Sequence, residues 1–277
     1  MPLALALASG LAWGAADFLG GLTAKRRPIL TVALLSQLAG AAFIALLVLA
    51  TGRGPEQTRP LLVGFGGGIA GAIGLAALYR GLAVGRMGIV APAAALAATV
   101  PVAWGLARGE RPSALQLAGV AAAIGGIVLA AATPDAEGER STRGLGLGLT
   151  AALALGVALI ALDDVGRTDP LWGTLSVRAG ALTLLVAAAV ATRPPLRVDG
   201  TDGGRLALTG VLDNGANLAF VFASHGGGML ALTSVLGSLY PVTTVLLARF
   251  VLRERMSRIQ ALGVATALAG VALIAGG

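Results

Sequence analysis

Ten apolar runs of about twenty residues leave this chain few folds to choose from. They lie at about 2–22, 29–51, 61–80, 87–107, 113–132, 144–162, 171–191, 205–223, 228–250 and 257–276. A helix needs roughly 20 apolar residues to cross the bilayer's hydrocarbon core. A soluble protein can bury one or two helices this apolar, but ten in succession would leave no polar surface for water. Composition agrees: the 277 residues are 56% hydrophobic and only 12% charged, where ordinary soluble domains are about 25% charged. The sequence predicts an all-α integral membrane protein with ten transmembrane helices and no room for a soluble domain. The apolar start "MPLALALASGLAW" lacks the basic n-region of a signal peptide and reads as the first span.

The net charge is +7 and the sequence pI about 11.3. The basic residues stand singly between apolar runs, without a basic stripe or interleaved aromatics, so no nucleic-acid partner is expected. They read as loop charges that set topology. Counting alternate loops puts fourteen Lys and Arg on one side and five (Arg53, Arg59, Arg108, Arg111 and Arg167) on the other. The positive-inside rule then places the richer side in the cytoplasm and both termini outside. The chain has no cysteine and one histidine. That removes disulfides and thiolate chemistry, and neither a metal site nor a cofactor is expected.

The chain repeats itself. Residues 87–130 align with 227–275: Pro101 falls on Pro241, Glu110 on Glu254, Gln116 on Gln260, Gly119 on Gly263 and Gly126 on Gly270. Pro28 and Pro170 mark similar breaks upstream. The expected organisation is a first five-span repeat at 1–132, a linker at 133–143 and a second five-span repeat at 144–277. An odd number of spans per repeat inverts the second copy in the membrane. Inverted repeats are the architecture of secondary transporters, whose substrate site lies near the midplane between the halves.

These features resemble the EamA-type drug/metabolite transporters. The resemblance rests on Trp13-Gly14 in the first span, a proline within the fourth span of each repeat (Pro101 and Pro241), Gly109-Glu110 closing that span, and the paired glycines of the fifth. Arg178 matches an arginine common in the family's second span, with Gln37 in that neighbourhood of the first half. Arg253-Glu254 departs from the "GE" pattern. The resemblance implies two five-span repeats and transport of a small metabolite or drug, often export. It also implies a multi-pass protein of a prokaryotic cytoplasmic (inner) membrane, no ATP-binding module, and both termini inside, against the charge count. With both repeats in one chain, a monomer suffices.

Several motifs have a plainer reading. "GFGGGIAG" contains G-x-G-x-x-G, but in a membrane helix, without the strand that a dinucleotide site requires. Gly64/Gly68 and Gly67/Gly71 read as small-xxx-small packing pairs, as do Gly10/Gly14, Gly81/Gly85 and Gly144/Gly148. The acids of "LDDVGRTD" (Asp163, Asp164, Asp169) read as a solvated loop between spans six and seven. Glu110 and Glu254 read as interfacial ion pairs with Arg108, Arg111, Arg253 and Arg255. His225 reads as a turn residue.

Asp17, Arg178 and Asp213 remain inside spans, where an unpaired charge costs about 2.5–3.5 kcal/mol on insertion scales. Asn217 and Thr209 share a face with Asp213, Trp13 shares one with Asp17, and Ser234 and Ser238 lie on the face of Pro241. The substrate- or proton-binding candidates are Asp17, Asp213, Asn217, Arg178, Trp13, Gln37, Asn214 and Ser238. Pro101 and Pro241 are candidate hinges. The plainer alternative is an Asp–Arg pair that only locks helices. The leading expectation is a proton-coupled secondary transporter, its partners a small-molecule substrate, protons and the bilayer. Organic cations and amino acids are both open as substrates. The alternative is an intramembrane enzyme or flippase acting on a lipid-linked substrate; a metal-dependent enzyme would need Asp163 and Asp164.

Overall fold

The computed structural model describes residues 1–84, 90, 93–131, 144–253 and 257–277. Its helices are α1 (Pro2–Ala24), α2 (Ile29–Thr51), α3 (Thr58–Val84), α4 (Thr99–Ala107, after a 3-10 turn at Leu96–Ala98), α5 (Ala114–Ala131), α6 (Leu145–Thr168), α7 (Pro170–Thr192), α8 (Gly200–His225), α9 (Leu230–Gly237), α10 (Tyr240–Val251) and α11 (Arg258–Gly276). Nine segments among the described residues are long and apolar enough to cross a membrane, α9 and α10 together forming one, and a shorter apolar helix spans Ala93–Ala107. The protein is an all-α membrane protein of two inverted five-helix repeats. The linker expected at 133–143 lies outside the described residues.

Several helices run past the apolar runs because polar residues extend their ends. α8 begins at Gly200, where the Asp199 side chain accepts from the Asp202 N–H at 2.8 Å. α5 and α11 each open with a reciprocal Ser–Gln cap. The Gln116 N–H donates to Ser113 Oγ at 3.1 Å, and the Ser113 N–H donates to Gln116 Oε1 at 2.9 Å. Ser257 and Gln260 repeat the pattern at 3.1 and 3.0 Å. The Gln116/Gln260 correspondence is thus a shared helix start.

Both interior prolines stand where a span breaks. Span nine interrupts at Ser238-Leu239, and Pro241 lies in the first turn of α10, where its missing N–H costs nothing. Pro101 is the third residue of α4, just after the 3-10 turn. The prolines therefore begin short helices.

Glycines set the helix contacts. A Cβ on Gly126 would sit 2.3 Å from the Ala267 nitrogen, and one on Gly263 2.3 Å from that of Ala130. The fifth spans of the two repeats, α5 and α11, thus touch backbone to backbone. Gly68 brings α3 onto the Val177 carbonyl of α7, and Gly67 meets Ala161 of α6. Gly10 and Gly14 seat α1 on Leu236 and Tyr240 of the broken ninth span. Gly148 meets Ala93. Gly144 differs: with φ +96° it is the turn preceding α6. Gly85 lies outside the described residues.

Candidate functional site

Four helices build a polar cluster inside the bundle. Small residues let α2 and α8 approach: a Cβ on Gly210 would lie 2.2 Å from the Ser36 carbonyl oxygen, and one on Gly40 1.7 Å from Asn214 Nδ2. About one turn away from each, Gln37 Nε2 donates to Asp213 Oδ2 at 3.1 Å. From α7, Arg178 donates to the same Asp213 oxygen at 2.9 Å and to Gln37 Oε1. Arg178 is 7% exposed, and its Nε is buried without a hydrogen-bond partner. Three expected residues, one from the first repeat and two from the second, thus form one hydrogen-bonded group.

Asp17 stands beside this group. At about 100° per residue, it lies half a turn around α1 from Ala8, which with Ala4 and Leu11 forms an exposed stripe on the opposite face. It is accessible, and among the described residues it makes no hydrogen bond or ion pair. It is close enough to Asp213 for the two charges to act on each other. Trp13, one turn earlier, packs its ring 5.9 Å from that of Phe220. Asn217, one turn beyond Asp213, is buried with an unpartnered Nδ2.

The other expected residues sit apart from the ion pair. Asn214 is fully buried against Gly40 and donates to the Gly210 carbonyl of its own helix at 2.9 Å. Ser238 is buried at the break between α9 and α10.

Three plain readings need correction. Glu110 forms no ion pair with the neighbouring arginines; its carboxylate accepts the Leu230 and Ala231 N–H groups at 2.6 and 2.8 Å, at the start of α9. An N-terminal helix end draws a carboxylate through its free N–H groups, and the Cβ-less Gly105 makes room for it. The partner lies 120 residues away, so no local signal revealed it. Glu254 lies outside the described residues. The acids of "LDDVGRTD" are not a solvated loop: Asp163 and Asp164 belong to the last turns of α6. Arg167 holds Asp163 at 2.9 and 3.0 Å and donates to the Gly228 carbonyl at 2.8 Å. Arg59 holds Asp164 at 2.7 Å, and Asp169 caps α7. The i,i+4 pairing of Asp163 with Arg167 keeps this polar turn helical. His225 is the last residue of α8 rather than a turn residue, with its Nδ1 3.1 Å from the Gly166 carbonyl. Among the described residues, no group of three or more His, Cys, Asp or Glu could hold a metal ion.

At the opposite end lies a clasp that no local pattern in the chain announces. Arg27 bridges Asp202 at 2.7 Å and Asp199 at 2.6 Å, joining the α1–α2 loop to the start of α8. The Asp202 N–H and the Arg27 guanidinium hold the Asp199 carboxyl below its usual range, while the Asp202 carboxylate holds Arg27 above its own.

Residues 1–132 and 142–276 match the EamA-like transporter family. No curated protein matches the chain. Among solved structures, one described only as the crystal structure of a protein shares this fold with a TM-score of 0.81 and 18% identity. The match covers 98% of this chain and 95% of that one.

Proposed function

The chain belongs to the EamA-like transporter family, membrane transporters of the drug/metabolite type, and from that premise we propose a proton-coupled exporter of a small, singly cationic amphipathic metabolite or drug. It works across the cytoplasmic membrane of a prokaryote. Its repeats, 1–132 and 144–277, rock against each other about the breaks at Pro101 and Pro241, around a site shared between them.

The observation that carries this reading is the unequal treatment of the two carboxylates. Asp213 is engaged by Arg178 and Gln37, whereas Asp17 has no partner. With all three groups ionised, Asp17, Asp213 and Arg178 sum to one negative charge. A site among apolar helices favours a neutral total. One proton on Asp17 or one bound cation supplies it, and the two exclude each other. That exclusion is the coupling: a cation arriving from one side displaces the proton, and a proton arriving from the other displaces the cation. Trp13 adds an aromatic face suited to an organic cation. An amino acid fits less well, because its carboxylate would have to compete with Asp213 for Arg178.

The test is Asp17→Asn in proteoliposomes with an imposed pH gradient and a panel of organic cations. Proton-driven flux should disappear and cation exchange should weaken with it, because the site is then neutral without either ion. Undiminished gradient-driven flux sinks the proposal and leaves Asp17 without a coupling role.

A further inference from the structure

A cavity lies outside the Asp17–Asp213 cluster, with none of that cluster's residues in its lining. α3 packs on α6 and α7, while α4 packs on α6 and α9. Between α3 and α4 opens a cavity of about 630 Å³, floored by α6. Its depth is apolar, with Val63 on one wall and Val157 and Ile160 on the floor, and its mouth is charged. From Arg167 at the mouth to Val157 is ten helical residues, about 15 Å at 1.5 Å per residue. That is half of the ~30 Å hydrocarbon core, one leaflet deep. Val157 and Trp104 are 42% and 45% exposed, so the cavity is open to its surroundings.

The mouth carries three arginines and three carboxylates, yet among the described residues one arginine is left unpaired. Each carboxylate is already engaged: Asp163 by Arg167, Asp164 by Arg59, Glu110 by the first N–H groups of α9. Arg108 has no ion-pair partner among the described residues. Its guanidinium carbon stands 5.6 Å from the Trp104 ring centre, which leaves its N–H donors free. A lone guanidinium above an apolar slot one leaflet deep fits a molecule with an anionic head and an apolar chain. We propose that the α3–α4 groove holds an anionic phospholipid of the surrounding bilayer, its phosphate on Arg108 and one acyl chain along Val63, Val157 and Ile160. A net-negative head neutralises Arg108, whereas a zwitterionic head brings its own cation to a mouth whose carboxylates are taken. None of its lining residues belongs to the Asp17–Gln37–Arg178–Asp213 group.

Trp104 can report on it. In protein carrying Trp13→Phe and Trp172→Phe, Trp104 is the remaining tryptophan, excited selectively over the tyrosines. Reconstituted into phosphatidylcholine vesicles, it should be quenched several-fold more by brominated phosphatidylglycerol than by an equal minor fraction of brominated phosphatidylcholine. Arg108→Gln should abolish that preference. Equal quenching by the two lipids, a preference that survives Arg108→Gln, or relief of quenching by free glycerol phosphate would each overturn the proposal; the last would mean that the head is taken from water. Should the double tryptophan variant fail to fold, native mass spectrometry of the full chain from mixed-lipid nanodiscs decides. Retained phosphatidylglycerol that is lost in Arg108→Gln supports the site, and its absence from the parent protein refutes it.

Discussion

Asp17 and Asp213 are both carboxylates inside spans, yet their surroundings predict opposite responses to neutralisation. Asp213→Asn breaks a pair with an Arg178 that is 7% exposed. Leaving one buried partner uncompensated costs about 3 kcal/mol or more. Asp17→Asn removes a charge with no partner to lose, and stability should hold or rise slightly. Thermal unfolding of the two variants in detergent should therefore rank Asp213→Asn well below the parent and Asp17→Asn at or above it; the reverse order would refute the assignment of the ion pair. The clasp at the other end is sensitive to pH. Asp199 is held below its ordinary pKa of 3.8, so its contribution is fully present above that value and is lost as pH falls through the lower folded one. Arg27, held above its ordinary value by the Asp202 carboxylate, stays charged throughout. The melting difference between parent and Asp199→Asn should be constant near neutral pH and vanish in strong acid. A difference that persists there would mean that Asp199 acts by capping geometry alone.

At the scale of the element, the repeat exposes one backbone conflict. Gly109 ends the fourth span of the first repeat with φ +92°, and its counterpart Arg253 adopts φ +57°. A side chain in this left-handed region costs roughly 1 kcal/mol. Arg253→Gly should therefore raise stability by about 1 kcal/mol, read by denaturant or thermal unfolding; a loss would show that the arginine side chain contributes more than the strain removes. The turn tolerates an arginine, whereas in the first copy Glu110 reaches α9 across the Cβ-less Gly105.

At the scale of the whole molecule, alternate loops gather at opposite ends. The Arg27–Asp199 clasp joins loops on the basic side, while Glu110, Arg167 and Arg59 tie helix ends together on the other. The loop count puts the clasp in the cytoplasm and both termini outside. A C-terminal reporter that is active only in the cytoplasm should stay silent, and activity would reverse the assignment. Both ends are tied between the repeats, so the proposed rocking would have to loosen one set of ties as it keeps the other.

The span pattern was legible because hydropathy is local: a run of about twenty apolar residues can satisfy its backbone in lipid only as a helix. The inversion followed from counting five spans per copy. The packing role of Gly10, Gly14, Gly67 and Gly68 was legible too, since close backbone contact requires small residues wherever the partner lies. The charges within spans marked Asp17, Arg178 and Asp213 as costly and therefore as candidates. The sequence could not say which of them pair. Arg178 is 35 residues from Asp213 and 141 from Gln37, and only the crossing of α2, α7 and α8 joins them while leaving Asp17 alone. Nor could it place Glu110 at the start of α9 or Arg27 on Asp199. A hydrogen bond has no period along the chain, so its partner is fixed only when the helices have packed.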